Sequence, residues 1–173
     1  MSRAPTALFL LADALAGCRP AQADHPAARA VRAYADALAD AYGTGDSSDL
    51  AGVARPDEVQ RVRALIDLKR AAGVVLEAEL LAFRVVGVEE RAPELVIVRT
   101  EERWRYRDRG AAPGSEPGPL VVADMVMELE VARAAGAYRV ARARTIATTT
   151  VAPPSDAPAA PLPGPAASGG ARR

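Results

Sequence analysis

The hydrophobic rhythm of this chain changes once, near Gly73, from helical spacing to alternation, and that switch limits it to helices followed by a sheet. Apolar residues three and four apart share one face of a helix, whereas residues two apart share one face of a strand. Val31, Tyr34, Leu38 and Tyr42 obey the first rule and predict a helix over Ala27–Tyr42, ended by Gly43-Thr44-Gly45-Asp46. Ser47 or Ser48 can cap a short second helix running through Val53. Pro56-Asp57-Glu58 opens a third helix, since proline and acids suit a first turn with free donors and a positive dipole end. Val59, Val62, Leu65 and Ile66 form its buried stripe, and Gly73 closes it.

Beyond Gly73 the alternation predicts four strands, over about 75–90, 93–108, 119–133 and 137–148. Ala111–Pro119 reads as a Gly/Pro-rich hairpin loop, and Arg133-Ala134-Ala135-Gly136 as a tight turn between antiparallel strands. Helices first and a meander second make the fold class α+β: three N-terminal helices on an antiparallel sheet of about four strands. The strand middles are apolar on both faces. Val96 and Val98 oppose Leu95 and Ile97; Val121, Met125, Met127, Leu129 and Val131 oppose Leu120, Val122 and Val126. A sheet with one wet face alternates cleanly, so the second face is expected to be covered, most simply by another copy in a homodimer.

The 22 basic and 22 acidic residues cancel, which argues against nucleic-acid binding by counterion release. Cys18 and His25 are the only residues of their kinds, so no intramolecular disulfide forms and no zinc site of soft ligands can be assembled. No metal and no cofactor are expected. His25 falls in a linker over 19–26, ahead of a domain over 27–148. Residues 149–173 are mostly Ala, Pro and Gly, with almost nothing large enough to dock, and are expected to be a disordered tail.

Residues 1–18 carry Arg3, the apolar run Leu8-Phe9-Leu10-Leu11-Ala12, and Leu15-Ala16-Gly17-Cys18. The last four letters resemble the lipobox of bacterial lipoproteins. That resemblance implies cleavage before Cys18, lipidation of its sulfur and anchoring in a bacterial cell envelope; Arg19, in place of an aspartate, points to the periplasmic face of the outer membrane. Asp13 interrupts the apolar run. The opposing reading is a cytoplasmic amphipathic helix, with Leu8, Leu11 and Leu15 on one face and Pro20 as its stop.

The helix with Val31-Arg32-Ala33-Tyr34, the strand with Glu102-Arg103-Trp104-Arg105-Tyr106 and the closing strand with Tyr138-Arg139-Val140 resemble the nuclear-transport-factor-2-like fold. Within it, they are most similar to the domain of chloroplast and cyanobacterial division proteins. The resemblance implies that the helices pack into the hollow of a curved sheet, forming a cone. It spans isomerases, dehydratases, transport factors and non-catalytic binding domains, so fold alone selects no function.

Catalytic members of that family carry, at the cone's mouth, an aspartate base with a tyrosine or second acid, or an Asp–His pair. His25 lies outside the domain, which leaves no such pair here. The candidate pocket is Tyr34, Val98, Glu102, Trp104, Tyr106, Met127 and Tyr138, with no residue assigned as catalytic. Glu102 with Tyr106 could serve as acid and hydrogen-bond donor. The plainer expectation is that Glu102 pairs with an arginine across the strands. Asp124 and Glu128 share a face of the third strand, and Arg142 and Arg144 are placed on the Tyr138/Val140 face of the fourth. The functional reading is a non-enzymatic interaction or small-ligand-holding domain, with an unidentified protein or apolar small molecule as partner. The alternatives are a small isomerase or dehydratase and a cytoplasmic partner-binding subunit. An open cone above ~300 Å³ with a buried acid favours a ligand or enzyme role; a filled one favours interaction alone.

Overall fold

Gly73 takes φ +72°, a left-handed turn of the backbone that glycine adopts without strain, and there the chain passes from its last helix into its first strand. The computed structural model describes residues 20–112 and 114–151. They form helices α1 (Pro20–Ala23), α2 (Pro26–Thr44), α3 (Leu50–Val53) and α4 (Pro56–Ala71), then strands β1 (Val74–Ala92), β2 (Leu95–Gly110), β3 (Val121–Ala134) and β4 (Ala137–Val151). The sheet runs β1-β2-β3-β4, antiparallel throughout. The lipobox with Cys18 and the tail beyond Val151 lie outside the described residues. Among the described residues no helix is long and apolar enough to cross a membrane.

Local chemistry explains the helix ends. His25 sits in extended conformation before α2, and its Nδ1 accepts from the Ala27 N–H at 3.1 Å, satisfying one of the donors a helix start leaves free. The linker histidine is therefore a cap, and a helical turn, α1, occupies part of the expected linker. Gly45 ends α2 at φ +74°, its N–H returning to the Ala41 carbonyl at 2.9 Å. Neither serine caps α3 through its hydroxyl. Asp49 holds the cap position without a side-chain bond, while the Ser47 and Ser48 carbonyls accept from Leu50 and Ala51 at 3.3 and 3.1 Å. Leu50 fixes this one-turn helix by full burial, worth about 1.5–3 kcal/mol.

The core lies where the helices cover the sheet. Val96 and Val98 from β2, Leu129 and Val131 from β3 and Val140 from β4 pack with Val31, Leu50 and Val62. Val96 faces Val131 across the ladder and Val98 faces Leu129, so one register serves both rows. The opposite face corrects the expectation of two apolar sides. Its β2 positions read Arg99, Glu101, Arg103, Arg105 and Arg107, and they pair across strands with Glu128, Arg84, Asp124, Glu79 and Glu77. Leu95, Ile97, Val122 and Val126 remain on that face as half-buried positions among the charges. Arg142 and Arg144 also differ from expectation. The register shifts between Glu130 and Val131, so β4 advances from Val140 to Arg142 in one step, and Arg144 turns outward to bond Glu128.

Candidate functional site

Arg99, Arg103, Arg105 and Arg109 of β2 face solvent, so strand parity turns Thr100, Glu102, Trp104, Tyr106 and Asp108 toward the helices. Between them and α2 and α4 lies a cavity of about 530 Å³. Its floor includes Glu102, Trp104 and Met127; Tyr34 and Leu38 descend from α2, and Arg61 and Lys69 approach from α4. Five of the seven anticipated residues, Tyr34, Glu102, Trp104, Tyr106 and Met127, line this space. Val98 does not: it is wholly buried in the core below. Tyr138 does not either; it sits at the opposite end, its ring 5.9 Å from that of His25 and 5.8 Å from the Arg133 guanidinium.

Glu102 is buried, with 6 % of its surface exposed. It does not form the expected cross-strand arginine pair, because its neighbour Glu101 holds the outward position and bonds Arg84. Its partners come from its own strand. Thr100 Oγ1 donates to Oε1 at 2.7 Å, and Trp104 Nε1 donates to Oε2 at 2.7 Å. An indole N–H can only donate, so Oε2 is an acceptor. Tyr106 lies four residues along, about 13 Å at strand rise, and is no hydrogen-bond partner of Glu102 among the bonds described.

A second polar cluster, absent from the anticipated set, forms the helical wall. Glu58 is 2 % exposed and accepts three bonds: from Tyr34 Oη at 2.5 Å, from Arg61 Nη2 at 2.5 Å and from Arg61 Nε at 2.9 Å. Burial, and then the Glu58 charge, push the Tyr34 hydroxyl well above the usual phenol range. Burial also raises Tyr42. The hydrogen bond to Glu58 holds the Arg61 guanidinium more firmly protonated than usual. The available signal was spacing: Glu58 lies four residues before Val62 and eight before Ile66, on the same stripe. At the mouth, Lys69 Nζ donates to both oxygens of Asp108 at 2.8 Å, tying α4 to β2. Among the described residues no three His, Cys, Asp or Glu side chains gather as a metal-ligand set, and no buried side-chain nitrogen or oxygen lacks a partner.

Helices lodged in the hollow of a four-stranded antiparallel sheet define the nuclear-transport-factor-2-like fold, and this chain has it. The particular likeness that carries this is to the intermembrane space region of the chloroplast protein ARC6, with a TM-score of 0.58 at 12% identity over 68% of this chain and 91% of that one. A type 2 hexachlorocyclohexane dehydrochlorinase, LinA, aligns at a TM-score of 0.48 and 12% identity, over 73% of this chain and 93% of its own. The type 3 enzyme from Novosphingobium barchaimii LL02 also aligns at 0.48 and 12%, over 72% and 89%. At such identities the likeness is one of fold. By sequence, no protein-family model and no curated protein matches this chain.

Proposed function

We propose that this domain is a binding module that holds a small, largely apolar molecule bearing a hydrogen-bond donor, in the cone between α2, α4 and the sheet. The observation that carries this reading is Glu102, a buried acid on the floor of a cavity of about 530 Å³. Small-molecule sites span roughly 300–1,000 Å³ and combine apolar walls with a few placed polar groups. Tyr34, Leu38, Trp104 and Met127 supply the walls; the remaining lone pairs of Glu102 supply the polar point.

A holding role accounts for the other groups better than catalysis does. A base acting on a bound molecule needs a stabilising donor near the developing charge. The Tyr34 hydroxyl is committed to Glu58, and Tyr106 lies too far along the strand to share an atom with Glu102. The isomerase or dehydratase alternative keeps one favourable observation, a buried carboxylate facing a cavity.

We place the module at the bacterial cell envelope, anchored by lipid on Cys18. The support is the Leu15-Ala16-Gly17-Cys18 motif, and anchoring takes more than one acyl chain to be stable.

Trp104 is the chain's single tryptophan and lines the cavity, so its emission reports occupancy. Titration with N-phenyl-1-naphthylamine is expected to quench it saturably at one site, and Ala78→Phe, which fills the mouth, to abolish the quenching. Non-saturable quenching equal in both proteins removes the binding role. Intact mass of the native protein tests the envelope: loss of residues 1–17 with added acyl mass is expected, and an unacylated chain retaining them ends that placement.

A further inference from the structure

We infer that the cone selects a protonated amine: an apolar molecule ending in one ammonium group, received by Glu102. This rests on the cavity being the ligand site proposed above, and names the chemical class that the site admits.

The argument is one of uncompensated charge. The two groups that hold Glu102, the Thr100 hydroxyl and the Trp104 indole, are neutral donors. They orient the carboxylate without cancelling its charge. The cations that line the cavity are engaged elsewhere. Arg61 closes on Glu58 at 2.5 and 2.9 Å, Lys69 on Asp108 at 2.8 Å, and Arg107 on Glu77 at 2.7 Å. No ion pair among the described residues includes Glu102. The pocket thus presents one buried carboxylate without a counter-ion beside an opening large enough for a guest.

Three ligand types meet that carboxylate differently. An anion is repelled. A neutral molecule takes its place by displacing water and leaves the charge desolvated and unmatched, which is costly in a low-dielectric site. An ammonium completes the pair, and two carboxylate oxygens together offer about four acceptor positions, of which two are taken. The walls suit the same guest. Trp104, Tyr106 and Tyr42 add aromatic surface that attracts cations, and Met125 and Met127 add polarisable thioethers.

Three probes of nearly equal shape separate these cases: 4-phenylbutylamine, 4-phenylbutanol and 4-phenylbutyrate, each titrated into the full chain at neutral pH by calorimetry and Trp104 emission. The amine is expected to bind at least about tenfold tighter than the alcohol, and the acid to give no measurable binding. In Glu102→Gln the amine's advantage is expected to disappear. The wild-type series alone decides the matter if that variant does not fold. Equal affinities for amine and alcohol overturn the amine inference and leave the holding role standing. If none of the three binds and the naphthylamine also fails, the cavity is no ligand site and both readings fall.

Discussion

Tyr34 Oη lies 2.5 Å from Glu58 Oε1, a hydrogen bond that ties α2 to α4 along the wall of the cavity. Both residues are 2 % exposed, and Arg61 closes on the same carboxylate from the solvent side. A hydrogen bond to a charged group is worth about 1.5–3 kcal/mol, and a buried group left without its partner costs a similar amount. Tyr34→Phe is therefore expected to lower unfolding stability by about 1–3 kcal/mol. Glu58→Ala should cost more, since it leaves the buried phenol without its acceptor and also removes both Arg61 bonds. In a double-mutant cycle the two changes should couple by about 0.5–3 kcal/mol. Strict additivity in urea unfolding would show that the two side chains do not act as a unit.

The same bond sets an alkaline limit. Burial and the neighbouring carboxylate raise the Tyr34 hydroxyl above its ordinary value of 10.0. A group whose folded value is raised contributes stability that is fully present below the unfolded value and is lost as pH climbs through the folded one. The unfolded chain gives up its phenol proton from about pH 10 upward while the folded chain keeps it. Stability should fall above pH 10, and fall less steeply in Tyr34→Phe; identical alkaline slopes for the two proteins would count against this assignment.

The β3–β4 hairpin carries a correctable strain. Ala135 at φ +50° and Gly136 at φ +81° are the two central residues of a two-residue turn, with Ala134 paired to Ala137. That geometry asks for left-handed backbone at both positions, where alanine's Cβ is crowded and asparagine or glycine is favoured. Ala135→Asn is expected to raise stability by about 0.5–1 kcal/mol, seen as a higher thermal midpoint with unchanged binding. A lower midpoint would mean the turn is held by something other than its own backbone preference.

Strand parity made much of this legible in advance. Five arginines of β2 at odd positions, from Arg99 to Arg109, send Glu102, Trp104 and Tyr106 inward, and the switch at Gly73 separated helices from sheet. Two kinds of feature were not readable. The register shift between Glu130 and Val131, which turns Arg142 and Arg144 outward, inserts one extra residue into β4 that no local letter marks. The burial of Glu58 depends on a tyrosine 24 residues earlier, and an acid in a helix's first turn is ordinarily solvated. Likewise the odd-position arginines were visible one by one, but their cross-strand acids, Glu77, Glu79, Asp124 and Glu128, became partners only once the register was known.

That outer lattice makes the last prediction. Glu128 accepts from Arg144 and from Arg99, bridging β2, β3 and β4 at a single carboxylate. The hydrogen bond from Arg144, then that from Arg99, hold its carboxyl below the ordinary 4.5, and Arg107 and Arg109 do the same for Glu77. Asp124 is held below 3.8 by Arg103. With folded values depressed, these groups contribute stability that is present above the unfolded values and is lost as pH falls through the folded ones. Glu128→Gln should therefore unfold at lower urea than wild type at pH 7, with the gap closing as the solution is acidified below the ordinary carboxylate range. Raising salt at pH 7 should narrow the gap as well, because both arginines are half exposed and within reach of screening ions. A gap that persists unchanged through acid and salt would mean that Glu128 holds the three strands by packing, not by charge.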